Sequence, residues 1–377
     1  MNWRWRGRRG PTWFGLIGAT AVVVVLIWGC DNRRAEESVP LGLRSSGGWT
    51  FPLPNPVIKA GDFRPKGLWN DPCVIRSGGQ YIMFMTTSVD APFQPPVLPF
   101  RAVSNDAQTW TLSPETPLMT ASGTVFASIE TPSVVLFHGV WHMYFTGIYA
   151  RPDPAPMAIG HAQSPDGINW TVTPGPVLTG TGRASDWNGI LVGEPGAIVR
   201  DDRIFVYFSA LGARPGGQPP QLQTIGLAKT ADGTTFGPAV MVLGQNATYP
   251  PEKGFAGYST PAAFEIGGRL HLVYDVALYR RNADPEWQQV ALHHAVSTRD
   301  GETDFVQDAA PWLTREDFSW TSGEILAPVV LVDGATLRLW FAGHVRKSEL
   351  GPLIRRGFSG GEFGIGYATR PVADLGR

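Results

Sequence analysis

The sequence has little cysteine, little charge and no long basic segment beyond its first residues. Two of its 377 residues are cysteine and 17% are charged, with 31 Lys and Arg against 32 Asp and Glu. A near-neutral chain without a basic stretch outside its N-terminus is not typical of nucleic-acid binding proteins. Two cysteines cannot build a disulfide framework, so the fold must be stabilised by burial of a hydrophobic core.

Turn-forming and aromatic residues are abundant by comparison. The chain has 45 Gly and 33 Pro, and aromatic residues make up 11% of it. Low charge combined with many turn formers and aromatics favours an all-β globular protein over a helical or disordered one. The length allows one large β-domain or two smaller ones.

The one long apolar run lies at the N-terminus. Four arginines precede 17 uncharged, mostly apolar residues (13–29), and Cys30 follows directly. This order resembles a bacterial lipoprotein signal peptide, and Ile27-Trp28-Gly29-Cys30 is similar to a lipobox. The alternative is an uncleaved membrane anchor, since the run is close to the minimum that spans a bilayer. Both interpretations place the rest of the chain outside the cytoplasm.

The predicted mature protein would begin at a lipid-modified Cys30. Without residues 1–29 and their four arginines, 27 basic residues face 32 acidic ones, which gives a net charge of about −5 and favours no polyanionic partner. Cys73 would then have no intrachain disulfide partner. Residues 30–48 are mostly polar and rich in Gly and Ser, which predicts a flexible tether between membrane and domain.

A proline recurs at nearly constant spacing along the rest of the chain. Each proline is followed by an apolar run, a tight turn and a second run rich in aromatics. The five are Pro72, Pro132, Pro195, Pro261 and Pro328, with spacings of 60, 63, 66 and 67 residues. A steady period of this size in β-units is typical of a propeller.

The second half of each repeat adds two more predicted strands around an Asp-Gly or Asn-Asp turn, as in residues 159–178. The last repeat stops after residues 363–371, three strands in. Residues 49–58, WTFPLPNPVI, are similar to the missing fourth strand. The sequence therefore predicts a five-bladed β-propeller with four-stranded blades over residues 49–371, closed by its N-terminal strand, with residues 372–377 as a tail.

The repeats resemble the five-bladed β-propeller glycosidase superfamily of arabinanases, β-xylosidases, levansucrases and invertases. Trp69-Asn70-Asp71-Pro72 is similar to the WMNDPNG stretch of invertase-like enzymes, whose Asp is the nucleophile. It is also similar to the Asp-Pro of family 43 hydrolases, whose Asp is the general base. Cys73 replaces the Asn of the invertase pattern. The resemblance implies an extracytoplasmic glycoside hydrolase; the alternative is a non-catalytic carbohydrate-binding propeller.

Acidic residues precede several of the prolines. Since the innermost strand of a propeller blade lines the channel, the residues ahead of the apolar run are predicted to lie at its mouth. They are Asp71, Glu130, Glu194, Ser259 with Thr260, and Glu324. Glycoside cleavage needs two carboxyl groups across the scissile bond. Each acid has a simpler alternative, a turn cap or a partner for arginine.

The fourth repeat departs from the family pattern. The resembling enzymes take a proton-donating Glu from the fourth blade, whereas residues 257–261 read Gly-Tyr-Ser-Thr-Pro. We therefore predict Asp71 as base or nucleophile, Glu194 as its electrostatic partner, and Glu130 or the loop residue Glu252 as proton donor. The predicted substrate contacts are Trp69, Asn70, Asp186, Trp187, Ser259 and Glu324.

No cofactor is predicted, and the partner is an oligosaccharide bound by a monomer. His138 and His142 flank a predicted hairpin turn and do not share a helix face, so they are not predicted to form a metal pair.

Overall fold

The computed structural model describes residues 43–375, except 53, 66, 91–93, 152–155, 184, 214–220, 245, 247, 281–285, 299–301 and 347–361. The predicted signal peptide and Cys30 lie outside the described residues. In the described part the regular structure is β-strand with three short 3₁₀ helices, Pro251–Lys253, Ser319–Thr321 and Val372–Leu375. None of the helices found there is long and apolar enough to cross a membrane. The predicted all-β fold is confirmed.

The strands follow one another without an intervening α-helix in the described residues. In chain order they are β1 (Ile58–Lys59), β2 (Asn70–Ser77), β3 (Gln80–Ser88), β4 (Val97–Ser104), β5 (Thr111–Leu112), β6 (Phe126–Phe137), β7 (Val140–Tyr149), β8 (Met157–Ser164), β9 (Thr171–Val172), β10 (Leu191–Arg200), β11 (Arg203–Ala213), β12 (Gln221–Thr230), β13 (Val240–Leu243), β14 (Phe255–Ile266), β15 (Arg269–Arg280), β16 (Glu286–Ser297), β17 (Phe305–Gln307), β18 (Leu313–Thr314), β19 (Glu324–Asp333), β20 (Thr336–His344) and β21 (Phe363–Pro371).

These strands form four hydrogen-bonded sheets, none of which closes on itself within the described residues. Strands β2–β5 form one sheet, β6–β9 a second and β10–β18 a third. In the third sheet β12 and β14 meet at a single parallel pairing of Gln223 with Gly257. The fourth sheet has the order β1-β21-β20-β19, so a strand from the beginning of the domain pairs with the last one.

The sequence repeats correspond to five units. Unit one is β2–β5, unit two β6–β9, unit three β10–β13, unit four β14–β18, and unit five β19–β21 with β1. The second strand of each unit is a nearly continuous buried run, as in β3, because sheets that are covered on both faces bury both side-chain rows. The predicted turn at Gly78 and Gly79 joins β2 to β3, with both residues at positive φ.

The predicted Asp-containing turns between the third and fourth strands share one hydrogen-bond pattern. Asp166 Oδ1 accepts the N–H groups of Ile168 and Asn169 at 2.9 and 2.8 Å. Asp106 and Asp232 make the same bonds in units one and three. These bonds satisfy turn N–H groups locally, so each hairpin is specified by its own sequence.

Hydrophobic clusters join each unit to the next. Phe84 of unit one packs near Trp141 of unit two, for example, with ring centroids 6.5 Å apart. Further clusters join units two and three, three and four, and four and five. Another cluster joins unit five to unit one, and in it the ring centroids of Trp340 and Tyr81 lie 6.5 Å apart. Packing therefore returns from the last unit to the first.

The N-terminal residues complete the edge of unit five in two short pieces. Thr50 forms an isolated bridge with Thr369, and Ile58 and Lys59 pair with Ile365 and Gly364. The predicted fourth strand over 49–58 thus pairs near its two ends, with Pro52, Pro54 and Pro56 between them, and proline cannot donate to a ladder. Just before them, the Ser46 N–H donates to the Pro311 carbonyl at 2.8 Å.

Candidate active site

The first long strand of each unit (β2, β6, β10, β14 and β19) carries a bulge at its proline. The ladder with the second strand skips there in all five units. The residue before each proline has φ between 43° and 52°, a strained conformation for residues other than glycine. These residues are Asp71, Thr131, Glu194, Thr260 and Ala327.

The five bulges meet at one place. A cavity of about 40 Å³ is lined by the five repeat prolines together with Asp71, Thr131, Thr260 and Ala327. Four of the five residues directly before these prolines line the cavity, and Glu194 is the exception. We call the position directly before the proline the station.

The station corrects two of the predicted positions. In unit two the station is Thr131, and Glu130 lies one residue earlier, opposite Thr146 on β7. In unit five the station is Ala327, and Glu324 lies three residues earlier, opposite His344 on β20. Neither acid therefore stands directly before its proline, where the strand bulges. Asp71 and Glu194 are the two acids at stations.

Asp71 is buried and has one oxygen held by the protein. Its Oδ2 accepts the Thr86 hydroxyl at 2.7 Å and the Thr131 N–H at 3.3 Å. Its Oδ1 is buried without a hydrogen-bond partner. Burial is the largest cause that raises the pKa of Asp71 to about 6, with a further contribution from the Glu194 charge, while the Thr86 bond lowers it. Asp71 is therefore mostly ionised at neutral pH and has one oxygen available.

Glu130 is also buried beside these acids. Burial raises its pKa well above the ordinary value, and the charges of Asp71 and Glu194 raise it further, against a hydrogen bond with Ser128. These causes favour the protonated form of Glu130, next to an Asp71 whose pKa is about 6. A pair of carboxyl groups that differ in this way is suited to acid and base roles.

Glu194 contacts both neighbouring units. Its N–H donates to the Thr146 hydroxyl oxygen at 2.7 Å, and its Oε2 accepts the Thr260 N–H at 3.3 Å. With Gln223 and Ser209 it lines a second cavity of about 10 Å³. The Glu194 charge raises the pKa of Asp71, Glu130 and Asp275.

The prediction missed Asp275, a fully buried acid on β15. It lies opposite Ser259 and accepts the hydroxyls of Ser259 and Thr260, and its Oδ2 also accepts the Ala327 N–H at 3.2 Å. Burial raises its pKa to about 7, with Glu194 as the second cause. An acid within the apolar run LVYDV was the signal that could have revealed it.

Several predicted substrate contacts lie elsewhere. Trp69, a predicted substrate contact, is fully buried in the core, and its indole N–H donates to the Asp62 carbonyl at 2.7 Å. Ser259 is buried and bonded to Asp275, and so presents no free hydroxyl. Asn70, in contrast, has a buried Oδ1 without a partner, next to Asp71.

The remaining predicted residues have mainly structural contacts. Asp186 pairs with Arg183 at 2.9 Å, and Trp187 packs against Phe208 at a ring distance of 6.1 Å. Glu324 Oε2 lies 3.5 Å from His344 Nε2. Glu252, the alternative proton donor, is exposed in the helix Pro251–Lys253.

The histidines do not gather with acids in a way that would hold a metal. Among the described residues no group of three or more His, Cys, Asp or Glu side chains has that arrangement. His138 is exposed and lies 2.6 Å from Asp202, whereas His142 is buried and lies 3.0 Å from His161.

No protein-family model matches the chain, and no curated protein sequence matches it. Solved structures do. A thermostable family-43 glycoside hydrolase has a TM-score of 0.58 and 14% identity, over 81% of this chain and 89% of that one. A glycosyl hydrolase from Bacteroides ovatus has a TM-score of 0.59 and 13% identity, over 86% and 95%.

A third solved structure is the β-1,2-mannobiose phosphorylase from Listeria innocua in complex with β-1,2-mannobiose. It has a TM-score of 0.64 and 11% identity, and the match covers 87% of this chain and 98% of that one. At such identities the likeness concerns the fold. The chain thus shares its fold with propeller-like glycoside hydrolases and phosphorylases.

Proposed function

We propose that the protein is a glycoside hydrolase that acts on oligosaccharides, with Asp71 as base or nucleophile, Glu130 as proton donor and Glu194 as their electrostatic partner. The observation that carries the proposal is the group of three buried carboxyls from successive inner strands, in which the charges of Asp71 and Glu194 raise the pKa of Glu130. The fold shared with glycoside hydrolases supports the same reaction class.

The chemistry requires two carboxyl groups in different protonation states. Asp71, with a pKa of about 6, is ionised above that pH and can activate water or attack the anomeric carbon. Burial and the charges of Asp71 and Glu194 raise the pKa of Glu130 well above its ordinary value, which suits it to deliver a proton to the leaving oxygen. Asp71 Oδ1 and Asn70 Oδ1 are buried acceptors without a protein partner, so both are suited to receive sugar hydroxyls.

The architecture we propose is a five-bladed propeller over residues 49–371, closed by its N-terminal strand. Three features support it: the five bulges around one cavity, the cluster that packs unit five on unit one, and the pairing of β1 with β21. In this architecture Asp71 and Glu194 would both lie near the central channel.

We further propose that Cys30 is the site of lipid attachment after removal of residues 1–29. The basic and apolar order of the N-terminus supports this, and it would hold a monomeric enzyme at the cell envelope, facing the periplasm or the exterior. Residues 30–48 would act as the tether. Asp186 and Trp187 remain candidates for outer sugar contacts, and Glu324 for an inner one.

Hydrolysis of a panel of aryl glycosides by residues 31–377 tests the function. The panel contains an arabinofuranoside, a xyloside, a fructoside and a galactoside, and Asp71→Asn is compared with Asp166→Asn, which alters an exposed turn acid. We expect turnover on at least one substrate, lowered about a hundredfold or more by Asp71→Asn alone. An unchanged rate in that variant would contradict the assignment of Asp71.

A non-catalytic carbohydrate-binding propeller is the second candidate, because the fourth station holds Thr260 and no acid. No turnover on any substrate, with oligosaccharide binding detected by calorimetry, would favour this candidate.

A further inference from the structure

The second strand of each unit places one residue directly opposite the position before the station. The residues at this place are Thr86, Thr146, Ser209, Asp275 and Ala342. Three are hydroxyls, and the fourth unit alone has a carboxyl group. A buried carboxyl costs far more than a hydroxyl at the same place, so the substitution calls for a physical reason.

Two of the three hydroxyls bind the station of the following unit, whereas the Thr86 hydroxyl donates to Asp71 of its own unit. The Thr146 hydroxyl oxygen accepts the Glu194 N–H at 2.7 Å, and that of Ser209 accepts the Thr260 N–H at 2.9 Å. Asp275 does the same for Ala327, whose N–H lies 3.2 Å from Oδ2. This bond between units therefore needs no carboxylate.

Asp275 differs from Thr146 and Ser209 because it accepts two further hydrogen bonds. Its two oxygens also receive the hydroxyls of Ser259 and Thr260 from its own unit. Thr260 in turn donates its N–H to Glu194 Oε2 at 3.3 Å. A continuous path thus runs from Asp275 through Thr260 to the Glu194 carboxylate.

We propose that Asp275 is a positioning residue, which fixes Thr260 and through it the orientation and charge of Glu194 at the acidic site. This inference rests on the proposed glycoside hydrolase function. Asp275 is fully buried, whereas Asp71, Glu130 and Glu194 each keep a few per cent of their surface exposed, so Asp275 is assigned no direct contact with substrate. It acts by holding the Thr260 N–H toward Glu194, and by adding a negative charge near Glu194 when it ionises.

The surroundings of Asp275 fit this role. The facing groups are the neutral donors Ser259, Thr260 and Ala327, and the charged group is Glu194. Since burial, followed by the Glu194 charge, raises the pKa of Asp275 to about 7, Asp275 gains its own charge in the neutral range.

The test compares Asp275→Asn and Asp275→Thr with Asp308→Asn. Asp275→Thr restores the hydroxyl found in the other units, and Asp308 is a part-buried acid of the same unit that binds His294 and Trp312. We expect both Asp275 variants to lower kcat about tenfold or more with KM nearly unchanged, and to shift the pH profile of kcat/KM. Asp308→Asn should lower the melting temperature without either effect.

A purely structural role for Asp275 would lower the melting temperature while kcat and the pH profile stay at wild-type values, and that result would overturn the proposal. If the wild-type protein has no turnover, the proposed function fails, and carboxyl-carbon NMR decides the inference separately. The Glu194 signal, assigned with Glu194→Gln, should titrate at lower pH in Asp275→Asn, because a neighbouring negative charge is gone. An unchanged Glu194 titration would refute the positioning role.

Discussion

The Thr86 hydroxyl donates to Asp71 Oδ2 at 2.7 Å, across the bulge that begins β2. This bond lowers the pKa of Asp71, whereas burial, the largest cause of the shift, raises it. Thr86 thus helps to keep ionised the acid that the proposed mechanism needs as base or nucleophile.

Thr86→Val should move the acidic limb of the pH–activity profile to higher pH. Loss of the hydroxyl removes a bond that favours the ionised form, so the pKa of Asp71 should rise above 6. The expected displacement is about one pH unit. Activity at pH 5.5 should therefore fall several times more than activity at pH 8, as measured by kcat/KM on the substrate found in the panel.

Thr111→Val is the matched control, since Thr111 is exposed on β5 and far along the chain from the bulge. Its acidic limb should stay at the wild-type position. If Thr86→Val lowers activity equally at all pH values, the Thr86 bond does not control Asp71 ionisation and this account of the residue is wrong.

Gly196→Ala tests how closely β10 of unit three approaches β14 of unit four. A Cβ atom at Gly196 would lie 1.9 Å from the Pro261 carbonyl oxygen, which is backbone and cannot move aside cheaply. Gly196→Ala should lower the free energy of unfolding by about 3 kcal/mol or more. Urea unfolding followed by tryptophan fluorescence measures the change.

Gly237→Ala provides the comparison, because the nearest atom to its added Cβ, the Lys229 carbonyl oxygen, is 3.9 Å away. Its free energy of unfolding should stay within about 0.5 kcal/mol of wild type. Equal stability of the two variants would mean that the inner strands are not packed as tightly as the structure indicates.

The repeat was readable from the sequence because its signals are local. Gly78-Gly79 and the Asp166 turn satisfy their own backbone groups within a few residues, so the hairpins and the period followed from composition and spacing. The gathering of the pre-proline residues around one centre followed from the period.

The site itself was only partly predictable. Asp71 and Glu194 were found because each stands directly before a proline. Glu130 and Glu324 lie one and three residues before the station, and only the strand pairing shows that they lie opposite Thr146 and His344. Asp275 was missed because it lies in an apolar strand whose pattern indicates core. Only the pairing of β14 with β15 brings it to Ser259.

The buried histidine pair of unit four should make the fold sensitive to acid. His271 Nδ1 lies 2.9 Å from His294 Nε2, and burial, followed by the His294 charge, lowers the pKa of His271 to about 4. The unfolded chain, with a histidine pKa of about 6.5, binds the proton first. Neutral His271 therefore makes its full contribution to the free energy of unfolding above about pH 6.5, and this contribution is lost as the pH falls toward 4.

His271→Gln should remove this pH dependence, even though the lost packing against Phe264 lowers stability at neutral pH. The charged groups nearest to His271 besides His294 are Arg269 and Asp308, and both remain in the variant. Asp71 and Asp275 change the stability in the opposite direction. Their pKa values are raised in the folded protein, so their protonation on acidification favours the folded state. Their contribution is common to both proteins and cancels in the difference.

Melting temperatures measured from pH 7.5 to pH 4 provide the test, with His138→Gln as an exposed control. The difference between wild type and His271→Gln should shrink as the pH falls, whereas the difference between wild type and His138→Gln should stay nearly constant. Parallel curves for wild type and His271→Gln would show that His271 takes up a proton as readily in the folded protein as in the unfolded chain. The close approach to His294 would then impose no cost on protonation.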